Sequence, residues 1–185
     1  MKFVFISHGI TKKGLGAIAK LTGKPKNKIK LLYIDTPAKT YPPNVDWLEE
    51  AKKELTDYGF KVTVFDIEQA YKEKKDIRKI VFEYDIVSIS GGNTFYFLYW
   101  AEKVGLKKIL QDYLKKGGVL AGESAGVVCQ IKDLTPVAWL DKPEKAPGVV
   151  KQGLQLTDLI IVPHWAVPNT IKSLKSLRNI MRIRV

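Results

Sequence analysis

One cysteine, Cys129, and two histidines, His8 and His164, are the only thiol and imidazole groups in this 185-residue chain. A lone cysteine excludes an internal disulfide framework and fits a reducing compartment, so a cytoplasmic location is expected. The histidines lie far apart, neither at ligand-like spacing from the cysteine, which argues against a zinc site. No apolar run approaches the roughly 18 residues of a membrane span. The opening MKFVFISHGI has one lysine and a short apolar run, but no small-residue cleavage site behind it. It reads as a first strand rather than a signal peptide. Linkers, repeats, helix-turn-helix signatures, RNP-type aromatic strands and finger spacings are also missing.

What is present suits one compact domain spanning residues 1–185. Hydrophobic residues make up 45% of the chain and charged residues 27%, a globular balance. Basic residues outnumber acidic ones 31 to 19, a net charge of +12. The lysines are spread, with a cluster at Lys20, Lys24, Lys26, Lys28 and Lys30, and no acidic residue follows Asp158. This pattern reads as a solvated lysine-rich surface, or as heat adaptation, ahead of a nucleic-acid site. No nucleic-acid or membrane partner is expected, and the chain reads as a monomer or homodimer.

Apolar runs and turn residues alternate as strand and helix. Strands are expected over 2–7, 29–35, 60–66, 85–90, 119–122 and 158–163. Asn44, after Pro42-Pro43, can cap a helix with an apolar face of Trp47, Leu48, Ala51, Leu55 and Tyr58, ended by Gly59. Further helices are expected over 74–83, 94–103, 106–116 and 168–181. Such alternation predicts parallel βαβ units: an α/β fold of three layers, a mostly parallel sheet with helices on both faces. Chemistry in such sheets collects at the carboxyl ends of the strands.

Three turns at those ends carry the chemistry. Gly122-Glu123-Ser124-Ala125-Gly126 is a G-x-S-x-G between a strand and a helix. It suits a nucleophile on a tight turn, flanked by glycines because side chains would collide there. The competing reading is a glycine-rich turn with Ser124 as a helix cap. His164 follows the 158–163 strand and is the preferred base for Ser124; His8, after the first strand, is its competitor. Gly91-Gly92-Asn93-Thr94 leaves backbone N–H groups open to a ligand oxygen, with Asn93 or Thr94 able to cap the next helix. A phosphate cradle there is disfavoured, because no Lys-Ser/Thr pair follows and Gly14-Leu15-Gly16 breaks the dinucleotide spacing. The aromatic run 95–100 reads mainly as core.

Together, G-G-N-T-F at 91–95, G-x-S-A-G at 122–126 and Pro163-His164-Trp165 resemble the peptidase E (aspartyl dipeptidase) family of serine peptidases, in its order and at about its spacing. The resemblance implies a fold similar to class I glutamine amidotransferases and the hydrolysis of short peptides without metal or organic cofactor. It implies Ser124 as nucleophile, His164 as general base, and the amides of Gly92 and Ala125 as oxyanion hole. Of the acids between serine and histidine, Asp158 stands at the far end of the expected strand, roughly 17–20 Å from the active edge, and is eliminated. The family's placement of the acid, before a proline-containing segment, favours Asp133 in KDLTPV, with Asp141 in WLDKP as the alternative. Val185 comes soon after His164, whereas relatives continue through further strands, so a smaller sheet or a shortened C-terminus is expected. Glu123 beside the nucleophile disfavours an anionic substrate side chain. The rival readings are an esterase-type hydrolase and a catalytically silent binding module.

Overall fold

The computed structural model describes residues 1–7, 9–135, 138–159 and 161–164. Five strands form one parallel sheet: β1 Lys2–Ile6, β2 Lys30–Ile34, β3 Lys61–Phe65, β4 Ile86–Ile89 and β5 Val119–Glu123, in the order β1-β5-β4-β2-β3. Each falls on an expected apolar run. The central strands are buried on both faces, which is why β2 and β4 read as near-continuous hydrophobic stretches.

Helices cover both faces. On one, α1 Lys12–Thr22 and α2 Asp46–Tyr58 press Leu15, Ile18, Leu48, Ala51 and Leu55 against Leu31, Tyr33, Ile86 and Ala121. On the other, α3 Ile67–Lys72, α4 Ile77–Val81, α5 Thr94–Lys103, α6 Leu106–Lys115 and α7 Ala125–Val128 cover Leu32, Ile34, Val87, Ile89 and Leu120. The alternating sides of each strand therefore feed two cores, and the expected three-layer parallel α/β architecture is the one found. Adjacent strands β2 and β4 send their following helices to opposite faces. A crevice consequently opens at the carboxyl edge between the loops they leave behind.

Several expectations need correction. Helix α1 was not expected, because Gly14 and Gly16 weaken its local propensity; a Thr11 cap accepting from the Gly14 N–H at 3.1 Å and the burial of Leu15 and Ile18 hold it. The helix expected over 74–83 is shorter, α4 alone, and an unexpected short helix, α3, precedes it; each is capped by an aspartate, Asp76 and Asp66. Asn44 does not cap α2: it has φ 60° and Val45 takes the cap position. Among the described residues of 158–163, none belongs to a strand. The helix expected over 168–181 lies outside the described residues.

Candidate active site

Parallel pairing of β5 with β1 and β4 brings Gly122 level with Phe5 and Ile89, and the chain must then turn at once into α7. That demand explains the residue types. A Cβ on Gly122 would stand 2.2 Å from the Gly126 carbonyl oxygen, and one on Gly126 would stand 2.2 Å from the Ile89 carbonyl oxygen. Neither backbone can retreat, so both positions require glycine. Ser124 takes φ 49° and ψ −108°, a conformation that L residues avoid and that the packed surroundings enforce. The sharp turn that the motif promised is present.

The Ser124 Oγ lies 2.8 Å from His164 Nε2, a hydrogen bond across forty positions of sequence. His164 is itself held at φ 60°, with its backbone N–H donating to Ser7 Oγ at 2.9 Å. A cleft of about 260 Å³ opens beside the pair, lined by Gly92, Ala125, Val128 and Leu140, by Tyr41 and Trp47, and by Glu123 and Asp141. A larger groove of about 570 Å³ runs between α5, α6 and residues 149–154, but neither Ser124 nor His164 reaches it.

Of the two candidate acids, the structure brings only one to the pair. Asp133 is exposed; its carboxylate accepts from the Thr135 N–H at 2.9 Å, which holds its pKa below the ordinary range. It does not line the cleft. Asp141 does, and its Oδ2 accepts from the Thr94 N–H at 3.0 Å. Burial pushes the Asp141 pKa up, opposed by the Thr94 hydrogen bonds and by the charges of His164 and Lys145. Asp141 and His164 line the same cleft. His8 and Trp165 lie outside the described residues.

The Gly91–Thr94 turn serves two purposes. Gly92 has φ 133°, and a Cβ on it would stand 2.2 Å from the Pro37 carbonyl oxygen, so its backbone is pressed into the loop after β2. Asn93 caps α5 by accepting from the Tyr96 N–H at 2.9 Å, while its Nδ2 donates to the Lys142 carbonyl at 3.0 Å. The loop carrying Asp141 is thereby tied to the start of α5. Lys145 Nζ adds a bond to the Thr40 carbonyl at 2.9 Å and lies 5.0 Å over the Tyr41 ring. Sequence reasoning missed Tyr41 and Trp47 as cleft walls, since Trp47 satisfied the apolar periodicity of α2 and needed no second role.

Among the described residues no group of His, Cys, Asp and Glu could hold a metal ion, and no helix is long and apolar enough to cross a membrane.

Comparisons with known proteins show the family and the fold. The chain is 29% identical over 129 residues to the uncharacterized peptidase Lin0382 of Listeria innocua, covering 69% of this chain and 61% of that protein. It is 28% identical over 120 residues to the uncharacterized peptidase Lmo0363 of Listeria monocytogenes, covering 64% and 58%. The chain thus spans about three fifths of the length of these curated relatives. A crystal structure of a Listeria monocytogenes protein, assigned provisionally to peptidase E, shares the fold with a TM-score of 0.79 at 23% identity, over 95% of this chain and 87% of that one. A peptidase from an acI-B1 actinobacterium is similar at a TM-score of 0.62 and 16% identity, over 93% and 74%. The model of peptidase family S51 matches residues 5–184, and the chain belongs to that family.

Proposed function

We propose that the chain is a serine peptidase acting on short peptides, with Ser124 as nucleophile, His164 as general base and Asp141 as the acid that orients the histidine. The observation that carries this reading is the 2.8 Å contact between Ser124 Oγ and His164 Nε2. A hydroxyl is a weak nucleophile until a base at hydrogen-bond distance accepts its proton. In the first step Oγ attacks the scissile carbonyl as Nε2 takes the proton. The carbonyl oxygen becomes negative and is received by the amides of Gly92 and Ala125, both of which line the cleft. His164 then returns the proton to the leaving amine, and water, deprotonated by the same ring, releases the acyl group.

Asp141 replaces Asp133 in this scheme because it lines the same cleft as Ser124 and His164, whereas Asp133 does not. Its bond from Thr94 keeps one carboxylate oxygen fixed. A space of about 260 Å³ is at the small end of ligand sites and supports a substrate of one or two residues, hence a dipeptidase-like activity.

Labelling with a fluorophosphonate probe tests the reading. Wild type is expected to be labelled, Ser124→Ala not at all, and His164→Ala only slowly. Dipeptides assayed beside simple esters distinguish peptidase from esterase: the proposal requires peptide hydrolysis. An unlabelled wild type that cleaves no peptide would leave the binding-module reading in its place.

A further inference from the structure

We propose that Ser7, the residue directly after β1, is a positioning residue of the reaction: its hydroxyl holds the backbone of His164 so that the imidazole stays in line with the Ser124 hydroxyl. This inference rests on the serine peptidase reading and adds a residue to the same site.

Two adjacent residues at the end of β1 receive the two reacting partners. The Ile6 carbonyl accepts from the Ser124 backbone N–H at 3.0 Å, and Ser7 Oγ accepts from the His164 backbone N–H at 2.9 Å. Nucleophile and base stand forty positions apart in sequence, yet both backbones are tied to this one point of the sheet edge. The 2.8 Å contact between Ser124 Oγ and His164 Nε2 closes the circuit.

Ser7 is itself held from both sides. Before it, β1 pairs in parallel register with β5, with Ile6 level with Glu123. After it, the Gly9 N–H donates to Glu123 Oε1 at 2.8 Å and returns the chain to the end of the same strand. A positioning group needs such anchoring, because it transmits precision only when its own place is fixed.

The histidine, in turn, sits at φ 60°, a left-handed conformation that residues other than glycine adopt sparingly and that persists where the surroundings enforce it. The Ser7 bond is a described restraint on that backbone. Misplacing a reacting group by about 1 Å can cost about 10²-fold in rate. The effect on folding is expected to be small, because Ser7 is exposed and water can replace its hydroxyl as a partner. Rate and stability should therefore part company at this residue.

The test compares Ser7→Ala, Ser7→Thr and Thr11→Ala. Thr11 caps α1 in the same connection and is not among the residues lining the cleft. In Ser7→Ala, kcat for dipeptide hydrolysis and the rate of fluorophosphonate labelling are expected to fall about 10- to 100-fold, with KM within about twofold and Tm within about 2 °C. Ser7→Thr keeps a hydroxyl acceptor and should return to within about threefold of wild type. Thr11→Ala should lower Tm by about 2–4 °C and leave kcat within about twofold. Unchanged rates in Ser7→Ala, a rise in KM in place of a fall in kcat, or no rescue in Ser7→Thr would overturn the role of Ser7 and leave the peptidase reading standing. Equal rate losses in Ser7→Ala and Thr11→Ala would do the same, since they trace the effect to a loosened loop. A wild type that fluorophosphonate does not label would overturn both.

Discussion

Asp141 accepts a hydrogen bond from the backbone N–H of Thr94, the first residue of α5, at 3.0 Å, and so joins a loop between two distant elements to the turn that follows β4. A helix start favours negative charge, because its first N–H groups lack partners within the helix. The bond fixes one carboxylate oxygen of a residue that lines the same cleft as His164. The proposed catalytic assembly thus depends on three turns at one sheet edge being held together.

The two aspartates should separate cleanly. Asp141→Asn is expected to lower kcat/KM for dipeptide hydrolysis by about 10²–10⁴-fold, since an amide neither selects the required tautomer nor stabilises the imidazolium. Asp133→Asn should change it by about twofold or less. Comparable losses in both variants would remove Asp141 from the mechanism.

Asn93 should matter for both stability and rate. Asn93→Ala removes the α5 cap and the bond to Lys142, and should cost about 1 kcal/mol for the cap, or roughly 2–4 °C in Tm for a domain of this size. Because the loop bearing Asp141 is released as well, fluorophosphonate labelling should slow by more than the stability change explains. Thermal denaturation and labelling rates on the same samples decide this.

The elbow glycines should tolerate nothing larger. Gly126→Ala places a methyl group 2.2 Å from the Ile89 carbonyl oxygen, and the expected cost is about 2 kcal/mol or more, with loss of labelling. Gly117→Ala makes a useful control: its Cβ meets nothing within 4 Å although φ is 91°, so it should be milder and keep the activity.

Stability should carry the signature of buried Asp141. Its pKa is raised in the folded chain, chiefly by burial, so between the ordinary carboxylate value and the raised one the folded state binds more protons than the unfolded state. Asp141 therefore favours folding at low pH and loses that contribution as pH rises through the window. Measured as the Tm of wild type minus that of Asp141→Asn, the difference should become less positive from about pH 4 toward neutrality. A difference that grew with pH would show that the carboxylate is stabilised in its charged form.

The sheet was legible because each of its five strands is a local apolar run closed by turn residues, as in IKLLYID and DIVSIS. Gly122, Ser124 and Gly126 were legible for a similar reason: a steric requirement acting over five residues leaves its mark in those residues. Helix α1 was not, since its glycines speak against a helix that packing of Leu15 and Ile18 sustains. The described residues of 158–163, where a strand is expected, show the converse, since none of them belongs to one. Apolar composition makes a strand possible, but only a neighbour in register makes it one.

Residue types and close spacings therefore determined the layered architecture, the nucleophile turn and the preferred histidine. The tertiary structure alone decided which carboxylate shares a cleft with that histidine and which rings wall it. Asp133 and Asp141 stand eight positions apart outside any regular element, where no periodicity assigns a direction to a side chain. What separates them is a single backbone N–H at the start of α5, supplied from forty-seven residues away.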